Sequence, residues 1–175
     1  KSVGLARAFT IIVPITALIY GLIFKNIAGV FYGLLAFFGD GVNHFIKKGC
    51  KKLYGNRISL PILGKGIRPE GAKYCGTFIH EYDLKGEPKS FGMPSGHSQM
   101  ATLTATFWIL YLYKKHGFST YNLFSMGLVL LICLGILYSR WHLKCHTIQQ
   151  IIFGSISGIL FGIVGFYIYK IYFNI

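Results

Sequence analysis

Five stretches of this chain are each apolar enough, over enough residues, to cross a lipid bilayer, and that repetition limits the fold more than any other feature. They run Val3 to Phe24, Ile27 to Ile46, His97 to Tyr113, Tyr121 to Tyr138 and Ile148 to Tyr169. A spanning helix needs roughly 20 predominantly apolar residues. A buried soluble core can account for one such segment but not for five. The composition agrees: 175 residues, 53% hydrophobic and 13% charged, with a mean hydropathy of +0.52, are too apolar for a soluble domain of this size. Backbone in lipid must satisfy its hydrogen bonds internally, and these segments are too long for barrel strands. The predicted fold is therefore all-α, a multi-pass transmembrane helical bundle of about five spans. It forms a single membrane-embedded domain over residues 1–175, with a long polar loop at about 47–94.

Lys1 and Arg7 before an apolar run resemble the start of a signal peptide, but the length and the missing small-residue cleavage pattern favour a retained helix. The chain opens on Lys1 rather than Met, which leaves room for an upstream segment and a sixth helix. Pro14 reads as a kink in the first helix. Gly154, Gly158 and Gly162, four apart with Ser155 and Ser157 between them, read as a stripe for close helix packing.

Two polar runs interrupt the apolar pattern. Met93-Pro94-Ser95-Gly96-His97-Ser98-Gln99 opens the third span, and Ser139-Arg140-Trp141-His142-Leu143-Lys144-Cys145-His146 joins the fourth to the fifth. Counting spans from a starting side X, the 47–94 loop, both histidine runs and Arg68-Pro69 all fall on X. Only the short Lys114 to Thr120 turn and the Lys25 turn reach the other side within the bundle. Both histidine runs can therefore build one site.

Eighteen Lys and Arg against five acidic residues give a formal charge of +13, and 14 of the 18 lie on X once Lys25, Lys114, Lys115 and Lys170 are set aside. The positive-inside rule, attraction to anionic membrane lipids and a phosphate pocket all fit this bias. Nucleic acid is a poor partner for a polytopic membrane protein. The cluster Lys47, Lys48, Lys51, Lys52 and Arg57 reads as a solvated or lipid-facing patch.

The runs themselves carry chemistry. Ser95 is an N-cap residue, and Gly96 lets a ligand approach amides that can hold a phosphate oxygen. His97 then lies in the first helical turn, able to exchange a proton near neutral pH. The alternative is a plain helix cap with an interfacial histidine. Arg140 suits an anion, and either His142 or His146 could serve as nucleophile or base. His142, Cys145 and His146 also have the spacing of a loose zinc site, although a strongly cationic surrounding favours an anion over a metal.

Arg68-Pro69, Pro94-Ser95-Gly96-His97 and Ser139-Arg140 with five residues before His146 resemble, in order, the three signatures of the type 2 phosphatidic acid phosphatase superfamily, which includes lipid phosphatases and vanadium haloperoxidases. The resemblance covers about Gly41 to the C-terminus. Ser98-Gln99 after the middle histidine and His146-Thr147 at the start of the last signature are most similar to the dolichyl diphosphatases. That resemblance implies catalytic His146, which attacks the terminal phosphorus to form a phosphohistidine, and catalytic His97, which protonates the leaving group. It implies that Arg68, Arg140, Ser95 and the Gly96 amide hold the phosphoryl oxygens. It implies no metal and no cofactor, and a substrate that is a lipid-linked phosphate or diphosphate, foremost a polyprenyl (dolichyl) diphosphate.

Two departures stand out. The family's lysine seven residues before Arg68 is here Pro61, so Lys47 is the expected replacement, with Lys65 in reserve. Gln150 stands four residues after His146, where most of the superfamily has aspartate; the dolichyl diphosphatases resemble this chain in carrying Gln. The rivals are a phosphatidic acid phosphatase or lipid phosphotransferase, and a catalytically silent protein that binds anionic lipid.

The resemblance also places X in the endoplasmic reticulum lumen, where a Cys50–Cys75 disulfide is expected, whereas charge counting alone assigns X to the cytosol. Cys133 reads as packing. Part of the long loop is expected to cover the pocket mouth.

Overall fold

A computed structural model describes residues 2–55, 62–73, 75, 76 and 91–174, with side chains from residue 7 onward. Arg57, Pro61 and the stretch 77–90, which includes much of the loop expected to cover the pocket, lie outside the described residues. The protein is an all-helical bundle: α1 (Ser2–Ile23), α2 (Ile27–Tyr54), α3 (Gly96–His116), α4 (Thr120–His142) and α5 (Ile148–Phe173). By length and composition α4 and α5 qualify as membrane spans outright. Their outer faces expose Leu128, Leu131, Leu134, Ile152, Ile156 and Leu160, an apolar belt suited to lipid.

Tight connections fix the alternating directions. Asn26 caps α2 by accepting from the Gly29 amide, and Ser119 caps α4 by accepting from Asn122. The core is aromatic: Tyr32 of α2, Phe107 of α3 and Tyr169 of α5 are buried, with Phe31 and Trp108 against them. The Tyr32 hydroxyl is satisfied by Thr104 at 2.6 Å. α1 continues as a helix through Pro14.

The glycine stripe works as expected. A Cβ on Gly154 would strike the Ser95 carbonyl, one on Gly158 the Gln99 carbonyl and Thr102 hydroxyl, and one on Gly162 the Thr106 side chain. α5 therefore lies directly on α3 backbone, the most extensive helix pair in the bundle.

One boundary differs from expectation. α2 does not end at Ile46 but continues to Tyr54, where Gly55 (φ 65) caps it. Loss of hydropathy marks where a helix leaves lipid, not where its hydrogen bonds stop. Lys47, Lys48, Lys51, Lys52 and Leu53 are good helix formers, and they carry the helix outward past Gly49, so the connecting loop is correspondingly shorter.

Gly158→Leu should lower stability by about 3 kcal/mol through overpacking, read as a fall in the thermal unfolding midpoint in detergent. Gly127→Leu, at an exposed glycine with nothing within 4 Å of its would-be Cβ, should leave the midpoint in place.

Candidate active site

The ends of α2 and α4 and the starts of α1, α3 and α5 meet at one end of the bundle, and the predicted residues gather there. Electrostatically His146 responds to Arg68, Lys47, His97 and Arg140. His97 responds to Arg140, Arg68 and Lys47. Seven predicted residues from four stretches of the sequence thus share one neighbourhood, since Ser95 caps the helix that begins Gly96-His97.

The spacing of Arg140 and His146 acquires a geometric meaning. At the end of α4 the chain doubles back, and the Arg140 carbonyl accepts from both the Cys145 amide (3.0 Å) and the His146 amide (3.2 Å). Lys144, at φ 54, makes the reversal. Arg140 and His146 are thereby coupled through one backbone oxygen. Both are buried, at 0% and 2% exposure.

His146 is fixed in one tautomer. Its Nδ1 lies 2.9 Å from the Gly92 carbonyl, which can only accept, so Nδ1 carries the proton. The same N–H also faces the Gln150 side-chain oxygen at 3.2 Å. In the neutral ring Nε2 therefore keeps the lone pair. Burial first, then the neighbouring Arg68 and Lys47 cations, hold the His146 imidazole well below its usual titration range.

Gln150 does more than orient His146. Its side-chain oxygen accepts from the Thr147 amide while Thr147 Oγ accepts from the Gln150 amide, a capping box at the start of α5. Its Nε2 donates to the carbonyls of Gly64 (3.1 Å) and Gly66 (3.4 Å). A Cβ on Gly92 would collide with this amide, so a larger residue at 92 would have to displace Gln150 from these bonds. The loop is held to α3 by an antiparallel bridge between Ile67 and Phe91 and by the Gly92 amide on the Gly66 carbonyl (3.0 Å). Arg68 follows that bridge directly.

At the start of α3, Ser95 Oγ accepts from the Ser98 amide (3.3 Å) and the Ser98 hydroxyl (2.8 Å), as an N-cap should. Its own hydroxyl proton is left to donate elsewhere. The Gly96 and His97 amides have no acceptor within the helix. His97 Nε2 lies 3.0 Å from the Arg7 carbonyl and must donate to it. Arg7 had not been predicted at the site; its own Nε donates to the Gly76 carbonyl at 2.8 Å, joining α1 to the loop. A carbonyl ligand has no signature in sequence, so neither Arg7 nor Gly92 was legible there.

Arg140 is the outlier in hydrogen bonding. Its Nε donates to Ser139 Oγ at 3.2 Å, yet among the described residues both buried terminal nitrogens have no partner. Half-buried Lys47 has its ammonium inside the protein, where burial and Arg68 push it down to about 8 against a smaller opposing effect of Asp40. Lys65 instead turns outward and lies 5.1 Å over the Tyr54 ring, so of the two lysines it is Lys47 that lies beside Arg68. Gln99 ties the helices together rather than facing the site: it accepts from Asn43 (2.7 Å) and donates to the Gly39 carbonyl (2.7 Å).

The expected Cys50–Cys75 pair is not formed. Cys75 is bonded to Cys145, and Cys50 and Cys133 are free thiols. The loop folds back over the α4–α5 turn, so its cysteine meets one distant in sequence, beside Ala72 and Leu143. The disulfide also removes Cys145 from the zinc set considered above, because its sulfur is no longer available as a thiolate ligand.

Residues 42–173 match the PAP2 superfamily, and the chain belongs to it. It is a helical membrane fold of a phosphatase superfamily. The chain is 28% identical to dolichyldiphosphatase 1 of Dictyostelium discoideum over 182 aligned positions, covering 97% of this chain and 68% of that protein. It is 33% identical to the chloroplastic lipid phosphate phosphatase epsilon 1 of Arabidopsis thaliana over 81 positions, 46% of this chain and 28% of that one. No solved structure matches.

Peptide mapping of protein alkylated in native membranes should recover Cys75 and Cys145 as one disulfide-linked pair and Cys50 as the alkylated species. Cys75→Ser should cost about 2–5 kcal/mol of stability, read by thermal unfolding against the unreduced parent.

Proposed function

We propose that this protein is an integral-membrane phosphatase that hydrolyses a lipid-linked diphosphate, releasing inorganic phosphate and leaving a lipid monophosphate. The observation that carries the reading is Arg140, a fully buried guanidinium with two unpartnered terminal nitrogens beside a histidine whose tautomer is fixed. A buried cation without a partner is costly, and a phosphoryl group is the bidentate acceptor that would relieve it.

In this reading Arg140, Arg68, Lys47, Ser95 and the Gly96 amide hold the terminal phosphoryl oxygens. His146 Nε2 attacks the phosphorus, and the bond from phosphorus to the bridging oxygen breaks. Nδ1–H stays on the Gly92 carbonyl and steadies the positive charge that develops on the ring. Beside the bound anion His97 takes a second proton, on Nδ1; it keeps its Nε2–H on the Arg7 carbonyl and gives the Nδ1 proton to the departing oxygen. Water then attacks the phosphohistidine, His97 takes up its proton, and phosphate leaves with His146 restored. The side chains supply the charge stabilisation, so no metal is assigned a step.

The dolichyldiphosphatase relative, similar over nearly the whole chain, supports a polyprenyl diphosphate as the substrate. The Cys75–Cys145 pair supports an oxidising compartment for this face, and hence the endoplasmic reticulum lumen. Recovery of that pair as free thiols from native membranes would instead favour the cytosol.

Purified protein should release phosphate from a polyprenyl diphosphate with chelator present. His146→Ala should reduce turnover by at least about a thousandfold, and His97→Ala by roughly 100- to 10,000-fold. Full activity in His146→Ala would remove the nucleophile, and loss of activity with chelator would bring back a metal. A parallel panel with phosphatidic acid separates the phosphatidic acid phosphatase alternative.

The acid limb of kcat/KM reports the free protein. Because His146 is held neutral, its lone pair is lost only when the pH drops well under 6.5. With the substrate's own ionisation divided out, that limb should lie on the acid side of an ordinary histidine. A limb at or above 6.5 would contradict the assignment.

A further inference from the structure

Buried His146 meets the outside through a cavity of about 300 Å³ whose described walls are Pro69, Trp141, His142, Lys144 and His146. This volume is at the lower end for ligand pockets and exceeds the needs of a single phosphoryl group. Two of its wall residues, His142 and Lys144, have no part in the chemistry above. Both are exposed, whereas His146 lies at the buried end.

Lys144 is set in place rather than trailing from the surface. Its backbone is in the left-handed region, uncommon for a residue with a side chain, and its amide is fixed to the Trp141 carbonyl at 2.9 Å. The stem runs past Gly71, whose would-be Cβ lies 3.9 Å from Lys144 Cδ. Glu70 is nearby in the loop but forms no ion pair with Lys144, and the ammonium has no hydrogen bond among the described residues. The His142 ring stacks on Tyr138 at 5.5 Å and 19°. Tyr138 and Trp141, 5.9 Å apart, stand where apolar α4 gives way to the polar turn, the position of an interfacial aromatic pair.

We propose that Lys144 and His142 form a second anion subsite, which holds the lipid-attached phosphate of a diphosphate and so selects diphosphates over monophosphates. This rests on reading His146 as the group that meets the terminal phosphorus. In-line displacement places the leaving oxygen across the phosphorus from Nε2, hence outward along the cavity. The leaving phosphate then lies at the level of the Lys144 ammonium and the His142 ring, and the lipid continues past Trp141 and Tyr138 into the bilayer.

The test compares a short-chain polyprenyl diphosphate with the matching monophosphate, using full-length protein in detergent. Inorganic pyrophosphate and phosphate binding are measured alongside by calorimetry. Lys144→Gln and His142→Gln should each lower the diphosphate-to-monophosphate ratio of kcat/KM by about tenfold, the effect of losing one charge-assisted contact. The advantage of pyrophosphate over phosphate should shrink by a similar factor. Lys48→Gln, at an exposed lysine of α2, serves as the control and should keep the ratio. An equal loss on both substrates, or a ratio that does not move, overturns the subsite.

The two failures differ. If the parent protein hydrolyses neither lipid yet prefers pyrophosphate through Lys144, the subsite stands and the phosphatase reading falls. If it hydrolyses the diphosphate with a ratio indifferent to Lys144 and His142, the reverse holds.

Discussion

The polar end of this bundle depends on how closely the first turns of α3 and α5 approach. Gly154 sits against the Ser95 carbonyl, and the Ser95 amide donates to the Gln150 carbonyl at 3.1 Å. A side chain at position 154 would force the helices apart at the point where His97 and His146 must share a pocket. Two helix starts side by side also concentrate unpaired amides and their partial positive charge. The same contact that packs the membrane core therefore prepares an anion site at its edge.

That site works against folding. Arg68 repels both Lys47 and Arg140, and Arg140 is desolvated without a counter-charge among the described residues. Among the described residues the connecting loop has a small satellite core, Ala72, Cys75 and Cys145 with Leu143 beside them. Covalent and polar ties supply the restraint: the Cys75–Cys145 bond, the Gln150 amide on two loop carbonyls, and Gln149 Oε1 accepting from the Gly64 amide. Stability is given up at the cationic pocket and recovered in the shell around it.

Span counting and capping chemistry made much of this readable in advance. The Ser95 cap, the glycine seam and the meeting of His97 with His146 all follow from local pattern plus alternation of direction. Side-chain chemistry carries a signature; backbone chemistry does not. The Gly92 and Arg7 carbonyls that set the two histidine tautomers were invisible for that reason. The disulfide partner is hidden for another. The hydropathy pattern puts Cys50 and Cys75 in one loop, but Cys50 belongs to the extended α2, and Cys75 meets a residue 70 positions away. Proximity along a loop says little about proximity in space once the loop folds onto a different turn.

Gln150 shows how the departures fit together. An aspartate there would bring a carboxylate next to His146, stabilising the imidazolium that forms on attack. It would also stand among the cations that attract the substrate and offset part of their pull. Glutamine leaves that positive field intact and still orients the ring, with the Gly92 carbonyl providing the main acceptor. The exchange favours binding of a highly charged anion over stabilisation of the ring's charge. A diphosphate carries more negative charge than a monophosphate, so it gains more from a field that no carboxylate weakens. In the proposed reading, glutamine at 150 and cations reaching outward to Lys144 serve the same preference, one by sparing the positive field and the other by extending it.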